Sequence, residues 1–396
     1  MRRIICVLIC LITFISPTIS FAAESNPFTY EIVDGKAVIT SYSGIGADLV
    51  IPEKIDNIAV SAIGSHAFEF NSIIKTVTVP DNITSIGESA FRSCRELTDV
   101  KIGKNTIKIG TYAFAACPNL VKMTVSTDNT NYSTQNNILM SKDGKTLFQY
   151  VGKSADVVIP DKVEQIGDGA FLGENLTTVT FSSTVRVIGN YAFSGCMSLQ
   201  SVTLPTSVTQ LGTGCFLSCV SLESVVILGE VTVIPERTFS MCGKLSHISL
   251  PETLTTLSSE AFYNCMSLID IEIPSNVSIV AENSIGTYLD FRSNSSVAVQ
   301  NAIIIGGNEA VQDYAKLKGI EYIDVANIFY GDINYDKAVD AADASLALTE
   351  YITSLTGQNG ILRRHQLLAA DINRDNAVDA TDASQILEIY ANMQTR

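Results

Sequence analysis

Ile188-Gly189-Asn190-Tyr191-Ala192-Phe193-Ser194-Gly195-Cys196-Met197-Ser198-Leu199-Gln200-Ser201-Val202-Thr203-Leu204-Pro205 holds the whole pattern of the chain in one stretch. The same frame returns around Phe68, Phe91, Phe114, Phe171, Phe193, Phe216, Phe239 and Phe262, at steps of 23, 23, 57, 22, 23, 23 and 23 residues. Ile-Gly or Leu-Gly recurs upstream, as in Ile86-Gly87, Ile109-Gly110, Ile166-Gly167 and Leu211-Gly212. A Cys follows most Phe residues by three positions (Cys94, Cys117, Cys196, Cys219, Cys242, Cys265), and a Leu follows three later. Val77-Thr78-Val79-Pro80 and Ile271-Glu272-Ile273-Pro274 show the alternation that closes each unit.

Alternation of period two predicts one short strand per repeat with one face buried. Pro ends the strand because it has no N–H for the ladder. One unit cannot bury its own apolar face, so units must stack into a continuous core. The repeat resembles the BspA-like class of leucine-rich repeat over about residues 45–290, which implies a β-rich solenoid with one strand per turn. Ile285 keeps the spacing of a ninth unit without its Cys and Leu.

The 57-residue step holds an insertion at residues 121–155. Within it, Asp143-Gly144 between two apolar runs predicts a hairpin over residues 137–150. Asp34-Gly35 predicts a similar hairpin over residues 30–40, as an N-terminal cap. A helical run at 310–318 followed by a strand at 320–325 predicts the opposite cap. Such caps cover open strand edges.

Arg2 and Arg3, the apolar run 4–19 and Ser20-Phe21-Ala22 form a secretory leader, expected over residues 1–22 with cleavage after Ala22 or Ala23. The chain is then secreted and extracellular. No later stretch suits a membrane span. The formal charge of −15 excludes a phosphate-binding surface for nucleic acid and disfavours anionic membranes.

Seven of the nine Cys residues lie beyond the leader. Six share one repeat position, open to reading as a metal ladder, as disulfides or as buried thiols. Stacked, parallel side chains suit thiols better than disulfide geometry. His66, His247 and His365 sit in unrelated frames without ligand spacing for zinc.

The sharpest motif lies after the repeats. Asp332, Asn334, Asp336, Asp340 and Asp343 occupy positions 1, 3, 5, 9 and 12 of a loop, with the carbonyl of Ala338 at position 7. Asp371, Asn373, Asp375, Asp379 and Asp382, with Ala377, repeat the set 39 residues on. Six oxygen donors at this spacing suit a hard cation, Ca2+, at one ion per loop. Helical runs are expected at 344–353 and 383–393.

The pair resembles type I dockerins over residues 327–396, leaving 23–326 to the solenoid and its caps. That resemblance implies an all-α module, two calcium ions and a cohesin domain of a scaffoldin as partner. It also implies that Ala341, Ala342 and Leu348 in the first half, and Ala380, Thr381 and Leu387 in the second, face the cohesin. A core role stays open for the two Leu residues, and either half, or both, can be the one that binds. Position 6, normally Gly, is Lys337 and Asn376, which implies a weaker first loop.

For the solenoid two functions compete. One is a non-catalytic module binding a glycan or a cell-surface protein, in polysaccharide degradation or surface attachment. The other is a dockerin-borne hydrolase of plant polysaccharide with its active site in the repeats. No nucleophile elbow or metalloprotease helix is present, and the chain has no Trp. The outward row Thr78, Lys101, Thr124, Val158, Thr180, Thr203, Val226, Ser249 and Glu272 is either a binding face or ordinary exposed strand.

Overall fold

The computed structural model describes residues 26–290, 293, 295–356, 360–375 and 377–394. The leader expected at 1–22 and Asn376 lie outside the described residues. Among these residues no helix is long and apolar enough to cross a membrane.

One turn of the solenoid shows why the repeat folds as it does. Thr76–Val79 pairs in parallel with Asp99–Ile102, residue against residue at the repeat spacing. Val77 and Val79 point into the core while Thr76 and Thr78 stay at the surface. After the Pro turn the chain forms a second strand, Ser85–Ile86, paired with Ala62–Ile63 before it and Lys108–Ile109 after it. Each turn therefore adds a two-residue strand, centred on the Ile-Gly segment, to the one that alternation predicts.

The Phe residues stack as a column inside. Phe193 and Phe216 lie 5.2 Å apart at 5°, and Phe68 and Phe91 lie 4.7 Å apart at 4°. Each is fully or almost fully buried, worth about 1.5–3 kcal/mol in apolar burial. Backbone reversals on both sides aim the ring inward. The residues two before and two after Phe91, Ser89 and Ser93, have φ of 52° and 58°. The pair recurs as Tyr112 and Ala116, Gly169 and Gly173, and Arg237 and Met241.

The insertion divides the core. Lys122–Val125 still pairs in register with Asp99–Ile102, so the regular row runs on into the segment expected to depart from it. The chain then makes a meander of Tyr132–Gln135, Ile138–Ser141 and Thr146–Tyr150. Its first turn, Asn136-Asn137, has φ of 50° and 61°, so a third strand joins the hairpin around Asp143-Gly144. Tyr132, Leu139, Phe148 and Val151 pack on the core before it, and Ile138, Met140, Leu147 and Tyr150 on the core after it. The meander is a septum, with apolar side chains on both faces. Tyr150 then starts the second Phe column against Phe171 at 5.4 Å, as Tyr42 of the N-terminal hairpin starts the first against Phe68 at 5.6 Å.

That first hairpin, Phe28–Val33 with Lys36–Tyr42, forms where Asp34-Gly35 predicts it. At the other end, Ile303–Gly306 pairs with Asp270–Glu272 and with Glu321–Asp324, and helix α1 (Glu309–Lys318) lies between. The hydroxyl of Tyr314 on α1 binds both the N–H and the carbonyl of Ile285, closing the last turn. The remaining chain forms α2 (Ala341–Leu355), α3 (Arg364–Ala370) and α4 (Ala380–Gln394).

Candidate functional site

The two acidic loops share one hydrogen-bonding pattern. In the first, Asp343 is fully buried; its Oδ1 accepts from Ile333 N at 2.8 Å and Asn334 N at 3.1 Å, and its Oδ2 from Asp340 N at 2.9 Å. In the second, Asp382 is equally buried and accepts from Ile372 N, Asn373 N and Asp379 N at 2.9, 3.3 and 3.0 Å. Asp332 accepts from Asp336 N and Lys337 N, and Asp371 from Asp375 N. Asn334 and Asn373 accept from the same Asp N–H groups, and Asp336 and Asp375 from Ala338 N and Ala377 N. Side-chain oxygens at alternate positions thus hold each loop closed around its own backbone.

Asp340 and Asp379 sit where each loop becomes a helix. Asp340 accepts from Ala342 N at 2.7 Å, and Asp379 from Thr381 N at 2.6 Å. The Thr381 contacts hold the Asp379 carboxyl below the usual carboxylate range. With Asp343 returning to the Asp340 N–H, these bonds form a capping box. The helices accordingly begin at Ala341 and Ala380, three residues earlier than the sequence suggested. Helix α3, which was not foreseen, connects the halves.

The donor set fits a hard cation. It is all oxygen, and Asp332, Asp343 and Asp382 are buried carboxylates that form no ion pair with a described Lys, Arg or His. Buried charge of one sign needs compensation. Among the described residues, no three His, Cys, Asp or Glu side chains converge tightly enough to hold an ion alone. The set read from the sequence also draws on Asn334, Asn373 and two backbone carbonyls.

Ala341, Ala342, Ala380 and Thr381 are exposed on the first turns of α2 and α4. Leu348 and Leu387 are also exposed, at 39% and 43%, which excludes the core role. On α2 the apolar line continues through Ile352 and Leu355, both more exposed still. These two were missed, although their i+4 and i+7 spacing from Leu348 was visible. The matching positions of α4 are Ala391 and Gln394. Lys337 has φ of 72°, so the position read as normally Gly is left-handed with a Lys in it. Tyr335 and Arg374, two places earlier in each loop's ring, share that conformation.

On the solenoid, the expected outward row is a true surface row. Thr78, Lys101 and Thr124 are paired neighbours, as are Thr203, Val226 and Ser249. The septum interrupts the row between Lys122–Val125 and Asp156–Val158.

Residues 53–171, 141–227 and 164–290 match the BspA type leucine rich repeat region, in six copies. The chain belongs to the BspA-type leucine-rich repeat family. Residues 330–388 of this BspA-type protein match the dockerin type I domain, so the repeats carry a dockerin at their C-terminal side. Similar solved structures include a leucine-rich repeat protein from Eubacterium ventriosum, at 22% identity and TM-score 0.47, covering 68% of this chain and 95% of that one. A leucine rich cell surface protein from Faecalibacterium prausnitzii shows 20% identity and TM-score 0.38, covering 76% and 94%. The pneumococcal vaccine antigen PcpA shows 15% identity and TM-score 0.42, covering 68% and 72%. No curated protein matches the chain.

Proposed function

We propose that the protein is a secreted, non-catalytic recognition module, held on a cellulosome-type scaffold by calcium-dependent binding of its dockerin to a cohesin. The duplicated loop supports this reading most strongly, because it buries the carboxylates of Asp332, Asp343 and Asp382, none of which pairs with a described Lys, Arg or His. One ion is held by Asp332, Asn334, Asp336, Asp340, Asp343 and the Ala338 carbonyl. The other is held by Asp371, Asn373, Asp375, Asp379, Asp382 and the Ala377 carbonyl. Calcium, when bound, neutralises each set and fixes the start of the following helix. Ala341, Ala342 and Leu348, or Ala380, Thr381 and Leu387, then meet the cohesin. Their small size and the exposed Leu suit a closely packed apolar contact.

The solenoid is the recognition surface. Its exposed rows of Thr, Ser and charged residues suit a glycan or a cell-surface protein, in polysaccharide degradation or surface attachment. Calorimetry of the full chain against a panel of cohesins, with calcium and with chelator, tests the reading. Binding in calcium and its loss on chelation are expected. Absence of binding to any cohesin in calcium overturns it.

A further inference from the structure

Ile303, Ile304 and Ile305 are consecutive buried residues in one strand, where alternation would leave every second one exposed. Ile304 faces the solenoid core. Ile303 and Ile305 face the other way, onto Ile328, Leu368 and Ala369. Leu368 and Ala369 belong to α3, so a dockerin helix covers the far side of the last solenoid strand.

Polar contacts tie α3 both to the solenoid and to the first acidic loop. His365 of α3 is buried, with its Nδ1 3.8 Å from the Asp270 carboxylate. Asp270 lies in the strand paired with Ile303–Gly306. Tyr335, between the loop residues Asn334 and Asp336, donates its hydroxyl to the His365 carbonyl at 3.1 Å, and its ring lies 5.1 Å from the imidazole. Gln366 Nε2 donates to the Ile333 carbonyl at 3.1 Å, and Gly331 N to the Ala369 carbonyl at 2.8 Å. Loop, α3 and final strand are therefore in one chain of contacts.

We propose that the dockerin is seated on the solenoid rather than tethered to it, and that metal loading of the first loop sets the order of the strand Ile303–Gly306. The proposal rests on the calcium reading above. A loop that loses its shape releases Tyr335, then α3, and uncovers Ile303 and Ile305. The same seat occupies the α3 side of the dockerin and leaves the outer faces of α2 and α4 for a partner.

Hydrogen exchange of the full chain, read by mass spectrometry with calcium and with chelator, tests the linkage, and calorimetry with calcium alone counts the ions bound. Chelation is expected to speed exchange in Ile303–Gly306 about tenfold or more and to leave the central strand Ser201–Leu204 unchanged. Tyr335→Ala in calcium should still bind two ions yet exchange at Ile303–Gly306 as the chelated protein does. If calcium binds but exchange at that strand ignores chelation, the linkage is wrong and the calcium reading stands. If no calcium binds, both fall.

Discussion

The thiol of Cys219 donates to the carbonyl of Phe193, one turn earlier, across 3.2 Å. The same bond joins Cys94 to Phe68, Cys117 to Phe91, Cys196 to Phe171, Cys242 to Phe216 and Cys265 to Phe239. The Cys column is thus a set of buried hydrogen-bonding thiols, and burial pushes the Cys265 thiol up to about 12. Cys219→Ala should remove one such bond and leave a small void, costing roughly 1–2 kcal/mol in urea unfolding. Non-reduced protein should titrate seven thiols beyond the leader in denaturant and far fewer when native. A denatured count near one would instead mean bridged rungs.

Glu174 stands where six other turns carry Cys, three residues after Phe171. Burial pushes its carboxyl up to about 8. Between its unfolded value, 4.5, and about 8, the folded chain keeps a proton that the unfolded chain has lost. Stability must therefore fall as pH rises through that window and level off above it. Glu174→Gln should flatten the slope and add roughly 2–4 kcal/mol at pH 8. Urea midpoints for both proteins from pH 5 to pH 9 provide the check, and parallel curves would refute the assignment.

Gly173 isolates the cost of the left-handed turns. Its φ is 74°, and an added Cβ would meet nothing within 4 Å. Gly173→Ala should therefore lower stability by about 1 kcal/mol through backbone strain alone. Ala116→Gly, at the same turn position with φ of 54°, should not destabilise by a comparable amount. Thermal melts that rank the two variants the other way would place the strain elsewhere.

The Phe spacing could be read from the sequence because each turn must bury the same face. The runs Ile138-Leu139-Met140 and Ile303-Ile304-Ile305 were harder, since alternation says nothing about a strand covered on both sides. Three apolar residues in a row marked the septum and the dockerin seat, but only the packing gave them meaning. The acidic loops were legible because ligand spacing is local. The helix starts were not, because Asp340 and Asp379 serve as caps as well as loop positions. Helix α3, seven residues long, is too short for a periodic pattern to declare itself.

Lys337, left-handed at a position where the second loop has Asn376, is expected to make the loops unequal in calcium affinity. Gly in its place relieves a left-handed Lys, worth roughly 1–2 kcal/mol, and removes a cation from a cation-binding loop. Lys337→Gly should tighten the first calcium site about five- to thirtyfold, with the second unchanged. Asp332→Ala and Asp371→Ala should each reduce the stoichiometry by one. Calorimetric titration separates these outcomes. Equal affinities in the unaltered protein would remove the claimed asymmetry of the loops.

The helices are unequal as well, which sets an expectation for the half that meets a partner. Leu348, Ile352 and Leu355 form an exposed apolar line on α2, whereas α4 offers Leu387 followed by Ala391 and Gln394. An apolar line left in water is favourable to cover, at about 25 cal/mol per Å2 buried. The first half should therefore dominate cohesin binding even though its loop carries the left-handed Lys337. Ile352→Asp places an unpaired charge in such a contact and should weaken binding at least tenfold. Ala391→Asp, at the matching place on α4, should change it less than twofold. Both sites are exposed, so circular dichroism and calcium uptake should match the unaltered chain. If Ala391→Asp proves the damaging one, the second half is the binding half. If only the double substitution weakens binding, the cohesin accepts either half, and the exposed line on α2 confers no preference.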